Sequence, residues 1–463
     1  MTTVEPAFTP AAKGFVPPTV SPPTEILGIM GSLRALRRNV LSALPHLSFV
    51  QPIVTGRTGP GRWHMVQSAE GLRRVFLDNV GNYPKSEVMI RMLRPAVGES
   101  LFTSEGADWR WQRRAIAPVF ASRNTRALAP LMTRTAERAA DRLAGRRDAA
   151  EMVREMLSAT FDVICEVALS GRDEFDADAY GEAITRYFLT VGRASLLDFL
   201  DAPAWVPRPG ELLGRGAVRT MHRMVAKAIE TRRARGPGPA PDLLDFMLRA
   251  EDPETGRRMT ETDLLHNMQF FIVAGHETTA LALAWALYML ANDPAAQERA
   301  HREARAALDG RPAAGVEEVN RAPFVTQVLD ETLRLYPPVG LLARNVLEPD
   351  RIHDRDILPN DTVFLNIWAL HRHKLWWDRP EVFDPDRFAP EAVAGRDRYL
   401  HLPFGAGPRV CVGAEFAMLQ ARIILTTLLG RYRFAPGGPA PTPVMHMTLR
   451  PEPGVRLKVR PAD

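Results

Sequence analysis

The stretch Phe404-Gly405-Ala406-Gly407-Pro408-Arg409-Val410-Cys411-Val412-Gly413 is where this sequence is best equipped for chemistry. It presents one cysteine at the tip of a glycine-rich loop, with an arginine two residues before it and a helix-compatible run, Ala414 to Leu429, directly after it. Glycines at 405, 407 and 413 remove side chains where the backbone must turn sharply or lie against a flat ligand. Pro408 stiffens the loop. The N-terminal end of the following helix and the charge of Arg409 both favour a thiolate over a thiol, so the loop is built to offer sulfur to a metal. The pattern F-x-x-G-x-R-x-C-x-G would arise by chance in about five of every hundred thousand chains of this composition, so coincidence is not its explanation. The other cysteine, Cys165, lies in the apolar run Met156 to Leu169 and reads as an inert core thiol.

A second chemical group interrupts a long apolar helix pattern. Ala274-Gly275-His276-Glu277-Thr278-Thr279 puts small and polar residues between Phe270-Phe271-Ile272-Val273 and Ala280-Leu281-Ala282-Leu283. A helix buried on all sides has no packing reason to lose its apolar character there. Gly275 costs helix propensity, about 1 kcal/mol against alanine. Thr278 can turn its hydroxyl back to the carbonyl one turn earlier. The functional reading is a groove for a small diatomic ligand beside an acid and an alcohol. The competing reading is an exposed helical turn or a packing adjustment. Glu331-Thr332-Leu333-Arg334 sets a carboxylate and a guanidinium at i and i+3 on one helix face, a pair that is common and weak on a surface. Trp109-x-x-x-Arg113 sets an indole N–H and a guanidinium one turn apart.

The cysteine loop is similar to the haem-binding loop of the cytochrome P-450 superfamily, and the other motifs fall in that family's order along the chain. The resemblance covers nearly everything from about residue 45 onward. It implies a mainly α fold with small β-sheets, haem b held between a long central helix and the cysteine loop, and Cys411 as the thiolate ligand. Phe404, Gly405, Arg409 and Gly413 would form the loop around it. Ala274, Gly275, Glu277 and Thr278 match the oxygen motif; Thr278 would hydrogen-bond dioxygen, and Glu277 would lie on the proton route. His276 occupies the variable position, with a polar role on the helix face. Glu331 and Arg334 match E-x-x-R and, with Arg387 of Pro385-Asp386-Arg387-Phe388, would form a buried ionic triad. Trp109, Arg113, Arg344, Arg409 and Lys85 are the expected propionate ligands. The substrate side would involve residues 86–102, residues 183–215, Phe270, Phe271, Ala274, Val339, Leu341, Leu342, Met445 and Met447, all largely apolar, so the substrate should be a largely apolar small molecule. The implied activity is hydroxylation by a monooxygenase using O2 as co-substrate. No flavin, nicotinamide or iron–sulfur unit is legible, so a ferredoxin or flavodoxin with its NAD(P)H reductase should supply electrons, docking near Arg110 and Arg114. A peroxide-driven or isomerising haem-thiolate enzyme, a haem-based sensor and a metal-storage protein are the rival readings.

Elements able to position these groups are legible. Glu25 to Leu44 has helical spacing, either as a first helix packed on the body or as a membrane-surface helix. Phe49 to Val54 and Trp63 to Val66 read as strands. Trp109 to Ala117, Arg134 to Ala144, Ala149 to Leu169, Tyr180 to Leu200 and Val218 to Arg235 read as helices, with a proline-rich break at Pro203 to Pro209 and a turn at Gly236 to Pro241. Thr260-Glu261-Thr262-Asp263 resembles a capping box that opens the long helix, and Asp293-Pro294 ends it at Asn292. Thr362 to Asn366 and Val455 to Val459 read as late strands. Residues 1–24 hold six prolines and suggest an extended, flexible tail ahead of one large domain over residues 25–463.

Composition narrows the setting. The chain has 463 residues, 46% of them hydrophobic, enough for a large core. Two cysteines fit a reducing compartment. A net charge of +5 is mild for this length, and without a basic tract carrying aromatics it argues against nucleic acid. The most apolar run, Ala280 to Ala291, is shorter than the roughly 18 residues a membrane span requires. The expectation is a soluble, cytoplasmic bacterial enzyme with no membrane span.

Overall fold

The long helix Glu261–Asn292 organises the molecule. Thr260 and Asp263 form the capping box at its start, each side chain bonding the other's backbone N–H, at 3.1 and 3.0 Å. Asp293 ends it and caps the next helix by accepting from the Ala296 N–H at 3.0 Å. Its 32 residues span about 48 Å at 1.5 Å per residue. By length and hydropathy this helix could cross a membrane, but 78% of its most apolar window is buried inside the protein. The apolar character therefore serves a core. This computed structural model describes residues 14–24, 27–58, 61–146, 148–168, 176–191, 209–236 and 242–462.

Helices surround this axis. The partner helix Met152–Ala168 carries Cys165, fully buried, and packs along it. The triad helix Pro323–Leu335 abuts its far half, where Trp285 stacks on Tyr336 at 3.7 Å. The cysteine helix Ala414–Arg431 packs on both. Phe120 bridges the two sides of the site, with ring centroids 4.9 Å from Phe271 on the long helix and 6.4 Å from Phe416 on the cysteine helix. The sheets are small. In the largest, Gly61–Val66 pairs antiparallel with Ile53–Thr58 and parallel with Thr362–Leu365, which pairs antiparallel with Leu342–Asn345. The segment at Lys85 extends that edge, as Ser86 N–H donates to Ala343 O at 3.2 Å and Asn345 N–H to Pro84 O at 3.0 Å. A terminal hairpin joins Thr442–Met445 to Leu449–Glu452.

Several boundaries differ from the sequence reading. The first helix covers only Ile29–Arg38. Asn39 breaks it because its side chain is engaged elsewhere, donating to Pro443 O at 2.9 Å and accepting from Met445 N–H at 3.0 Å. Phe49 lies in a 3-10 turn, His46–Phe49, and the strand begins at Ile53, after Pro52. Residues 14–24, part of the segment expected as a flexible tail, are extended and hydrogen-bonded to the body. Tyr336 donates to Pro18 O at 2.6 Å, and Phe383 N–H to Phe15 O at 2.9 Å. The remainder of the proline-rich tail, residues 1–13, lies outside the described residues, as do the helical continuation past Val191, the proline break up to residue 208 and the turn at 237–241.

Candidate functional site

The cysteine loop closes on itself through backbone bonds: Cys411 N–H donates to Phe404 O at 2.9 Å and Val410 N–H to Gly407 O at 3.1 Å. Two of its glycines are obligatory for different reasons. Gly405 has φ +72°, and Gly407 has φ +68° with an ideal Cβ only 1.9 Å from Phe76 O. Gly413 is different, since its φ of −92° suits any residue and a Cβ there would meet Phe120 at an ordinary 3.9 Å. It caps the cysteine helix, accepting from Ala417 N–H at 2.8 Å.

The electrostatics of the sulfur depart from expectation. Surrounding protein pushes the Cys411 thiol up, while the Gly413 N–H and the Arg113 guanidinium pull it down. Arg409 does not contribute. It forms a two-pronged ion pair with Glu105, one bond at 2.6 Å, and lies 5.3 Å from the Trp109 ring. Arg113, expected at a propionate, is the cation that acts on the sulfur, and burial in turn lowers its own pKa. A metal bound at the sulfur would add its own charge in favour of the thiolate.

Around Glu105 the structure gathers three cations. Lys85 donates to Leu101 O at 3.2 Å and Ser104 O at 2.9 Å, and sits 4.0 Å from Glu105. Burial pushes its pKa down to about 7. Arg344, on the sheet edge beside it, is 7% exposed, and among the described residues its side chain donates to its own neighbour's carbonyl, Ala343 O, at 3.0 Å. Burial and the nearby Arg409 push it down to about 10. Three cations thus share one carboxylate among the described residues. Buried charge of that kind calls for further anions, and two propionates have the required sign and number. The residues present fit a haem.

The long helix shows one open face. Phe270, Ala274 and Thr278, four residues apart, are partly exposed, as is Gly275, while the neighbouring positions of the stretch are buried. Thr278 donates to Ala274 O at 3.0 Å. Gly275 faces away, since its Cβ position lies 2.9 Å from Ile164 of the partner helix; close helix packing, not room for a ligand, is its steric reason. His276 is buried, not on a polar face. It packs edge-on to Phe161 at 5.4 Å and bonds Ile272 O at 3.1 Å. Glu277 is 4% exposed and turns to the terminal hairpin, where its Oε1 accepts from Thr448 Oγ1 at 2.7 Å and from Arg450 Nε at 2.7 Å.

The triad is assembled. Arg334 holds both Glu331 oxygens, at 2.6 and 2.7 Å, and its remaining donors reach His371 O, Pro380 O and Val382 O. Arg387 stands farther off, at 3.7 Å from Glu331. His371 ties this network to the cysteine loop, bonding Arg334 O at 3.2 Å and accepting from Leu402 N–H at 2.9 Å.

Chain and family can now be compared. Residues 18–459 match the sequence profile of the family described as Cytochrome P450. The chain belongs to the cytochrome P450 family. A cyclooctatin synthase of Streptomyces melanosporofaciens is 28% identical over 94% of this chain and 91% of its own. The human protein named Cytochrome P450 4F8 is 30% identical over 81% of this chain and 77% of its own. The crystal structure of the cytochrome P450DA heme domain superposes with a TM-score of 0.83 at 24% identity, covering 96% of this chain and 99% of that one, so it establishes the fold. As in P450s generally, the fold here is mainly helical with small sheets, and haem-thiolate oxygen chemistry is the family's activity.

On the substrate side, Val339, Leu341, Leu342 and Met447 are partly exposed like Phe270, whereas Phe271 and Met445 are buried. Phe271 packs on Phe120, and the Met445 sulfur lies 3.0 Å from the Cβ position of Gly340, so these two read as support, not lining. Residues 183–215 lie partly outside the described residues. The segment 86–102 docks on the long helix, with Glu99 N–H to His266 at 3.1 Å and Leu101 N–H to Asn267 at 2.9 Å. Arg114 is unavailable for docking because it pairs with the fully buried Asp252 at 2.7 Å; Arg110 remains exposed. Sequence reasoning missed Glu105, His371, Thr448 and Arg450. Only Glu105 left a local signal, one helical turn before Trp109.

Proposed function

We propose that this P450 is a monooxygenase that inserts one oxygen atom from O2 into a largely apolar small molecule. The observation carrying this is Cys411, flanked by the Gly413 N–H and Arg113, next to a buried cluster with more cations than carboxylates. The group held there is haem b, a reading supported by Cys165, which is buried in the core and unavailable for covalent attachment. When bound, haem supplies the iron at which dioxygen is activated.

The chain's own residues then have distinct tasks. Cys411 supplies the thiolate. Lys85, Arg344 and Arg409 hold the propionates, with Trp109 supporting Arg409. Thr278 keeps its oxygen lone pairs free while its proton is directed to Ala274 O, so it can accept a hydrogen bond at the open helix face. Glu277 takes protons from the solvent side. Phe270, Val339, Leu341, Leu342 and Met447 exclude water and select an apolar ligand.

Electrons come from a separate ferredoxin or flavodoxin served by an NAD(P)H reductase, attracted by exposed basic groups such as Arg110. We place the enzyme in a bacterial cytoplasm, a reading supported by the Streptomyces relative and the burial of the long helix. Sedimentation with membranes on cell fractionation would overturn that placement. For the chemistry, the haem-loaded protein should be reduced under carbon monoxide. The red-shifted thiolate band is expected, and Cys411→Ala should abolish it. A ferric spectral screen should then give water-displacement shifts with terpenes, fatty acids or steroids. Shifts with polar compounds alone would sink the apolar reading.

A further inference from the structure

Glu277 is adjacent to Thr278 in sequence but is held on a different side. Its carboxylate is 4% exposed, and Oε1 accepts from Thr448 Oγ1 at 2.7 Å, Arg450 Nε at 2.7 Å and Arg450 Nη2 at 2.6 Å. The Arg450 side chain is 37% exposed. One end of this pair therefore lies in the core beside the oxygen motif, and the other reaches water. Thr448 lies in the bend and Arg450 on the second strand of the hairpin Thr442–Met445/Leu449–Glu452, whose bend also carries Met447. The hairpin itself is anchored through its first strand by Asn39, which accepts from Met445 N–H at 3.0 Å and donates to Pro443 O at 2.9 Å.

We propose that Thr448 and Arg450 are positioning residues for proton delivery: they hold the Glu277 carboxylate at the water-facing end of its route, and the substrate-side hairpin carries them. This rests on the monooxygenase reading above. The step moves one proton and no electrons. A proton from bulk water reaches the Glu277 carboxylate at the Arg450 opening, and Glu277 then turns to hand it toward Thr278, returning as carboxylate to Arg450. The arrangement explains why a nearly buried acid on an apolar helix finds side-chain partners on a hairpin more than 170 positions away in sequence. It also gives the hairpin two duties, lining the substrate space through Met447 and restraining the acid through Thr448 and Arg450.

The test uses the full-length haem-loaded protein with its electron donors and a substrate found in the spectral screen. Arg450→Met and Thr448→Val should keep the substrate dissociation constant within about twofold, while the peroxide formed per NAD(P)H rises several-fold and the solvent deuterium effect on product formation changes. Arg450→Lys should restore part of the coupling, which a purely structural role would not require. Wild-type coupling and isotope effect in Arg450→Met would overturn the proposal. A denaturant double-mutant cycle between Glu277→Gln and Arg450→Met gives a readout independent of turnover. A clear interaction supports the tether, and additivity overturns it. If the wild-type protein lacks the thiolate band, the monooxygenase reading falls, and the cycle still judges the tether separately.

Discussion

Two buried groups of charges in this protein look alike in composition and differ in closure. Beside the triad helix, Arg334 has five N–H donors and five acceptors, two from Glu331 and three from backbone carbonyls, and Asp384 N–H completes Glu331 at 2.9 Å. Both side chains are fully buried. Around Glu105, Lys85, Arg344 and Arg409 share one carboxylate, and two of the three cations are pushed down by burial. The Arg334–Glu331 pair is complete in protein alone, although Arg387, the triad's third member, stands 3.7 Å from Glu331 with its buried Nε lacking a hydrogen-bond partner among the described residues. The second group is incomplete in protein alone, and its deficit has the sign and size of a dianionic ligand. A buried ionic network therefore reads as structure when its own donors and acceptors close, and as a binding site when they do not.

The comparison breaks first at the closed group. Glu331→Gln leaves Arg334 buried without a counter-charge, which should cost about 3–5 kcal/mol. Urea unfolding should show that loss, and haem-loaded protein should be scarce. A loss below 1 kcal/mol would mean the network is not closed by Glu331. Acid is the next lever. Burial, the neighbouring His401 and then nearby arginines depress His371 well below its usual value, and burial with Arg396 and Arg334 holds His401 at about 3. A base with a depressed folded pKa leaves stability intact above the unfolded value near 6.5 and removes it as pH falls below that point. Each such histidine should cost about 1.4 kcal/mol per pH unit in that window. Denaturant midpoints that stay flat from pH 6.5 to 5 would show these imidazoles to be protonated in the fold.

A smaller effect is expected in the loop that joins the two groups. Gly407→Ala forces a Cβ into Phe76 O at a left-handed φ, and about 2–3 kcal/mol of strain is the expected order. Gly413→Ala, with ordinary φ and a clear 3.9 Å approach to Phe120, should cost well under 1 kcal/mol. Equal melting temperatures for the two variants would contradict the distinction.

The sequence made the local chemistry legible and the tertiary chemistry opaque, for a physical reason. The cysteine loop, the capping box at Thr260 and the i,i+3 pair of Glu331 and Arg334 are set by neighbours within one turn or loop, so spacing alone carries them. The partners of Glu277 come from a hairpin whose position depends on Asn39 and Pro443 at opposite ends of the chain. Nothing in the spacing of Glu277, Thr448 and Arg450 encodes that meeting. Arg409 and Arg113 show the same limit in reverse. Arg409 lies two residues from the sulfur in sequence, but Glu105 claims it, whereas Arg113, expected at a propionate, is the guanidinium whose charge acts on Cys411. Phe49 illustrates a local error, since an apolar run beside Pro45 closed into a 3-10 turn because Ser48 N–H found Pro45 O at 2.9 Å.

A change with little expected cost in stability is also the sharpest test of the comparison, because it acts differently on two states of the same protein. Arg344 is almost fully buried and has no carboxylate of its own among the described residues. Its burial disfavours the charged form and pushes its pKa down to about 10. Replacing it with methionine of similar reach removes a desolvated charge, so Arg344→Met should leave the haem-free protein as stable as before or raise it by up to about 1 kcal/mol. The same change removes a counter-ion for a propionate, so haem should leave the variant faster when apomyoglobin is offered as an acceptor. Glu331→Gln should lower stability in both states. If Arg344→Met instead destabilises the haem-free protein by several kcal/mol, the cluster around Glu105 is a closed structural network like the triad, and the distinction between the two regions fails.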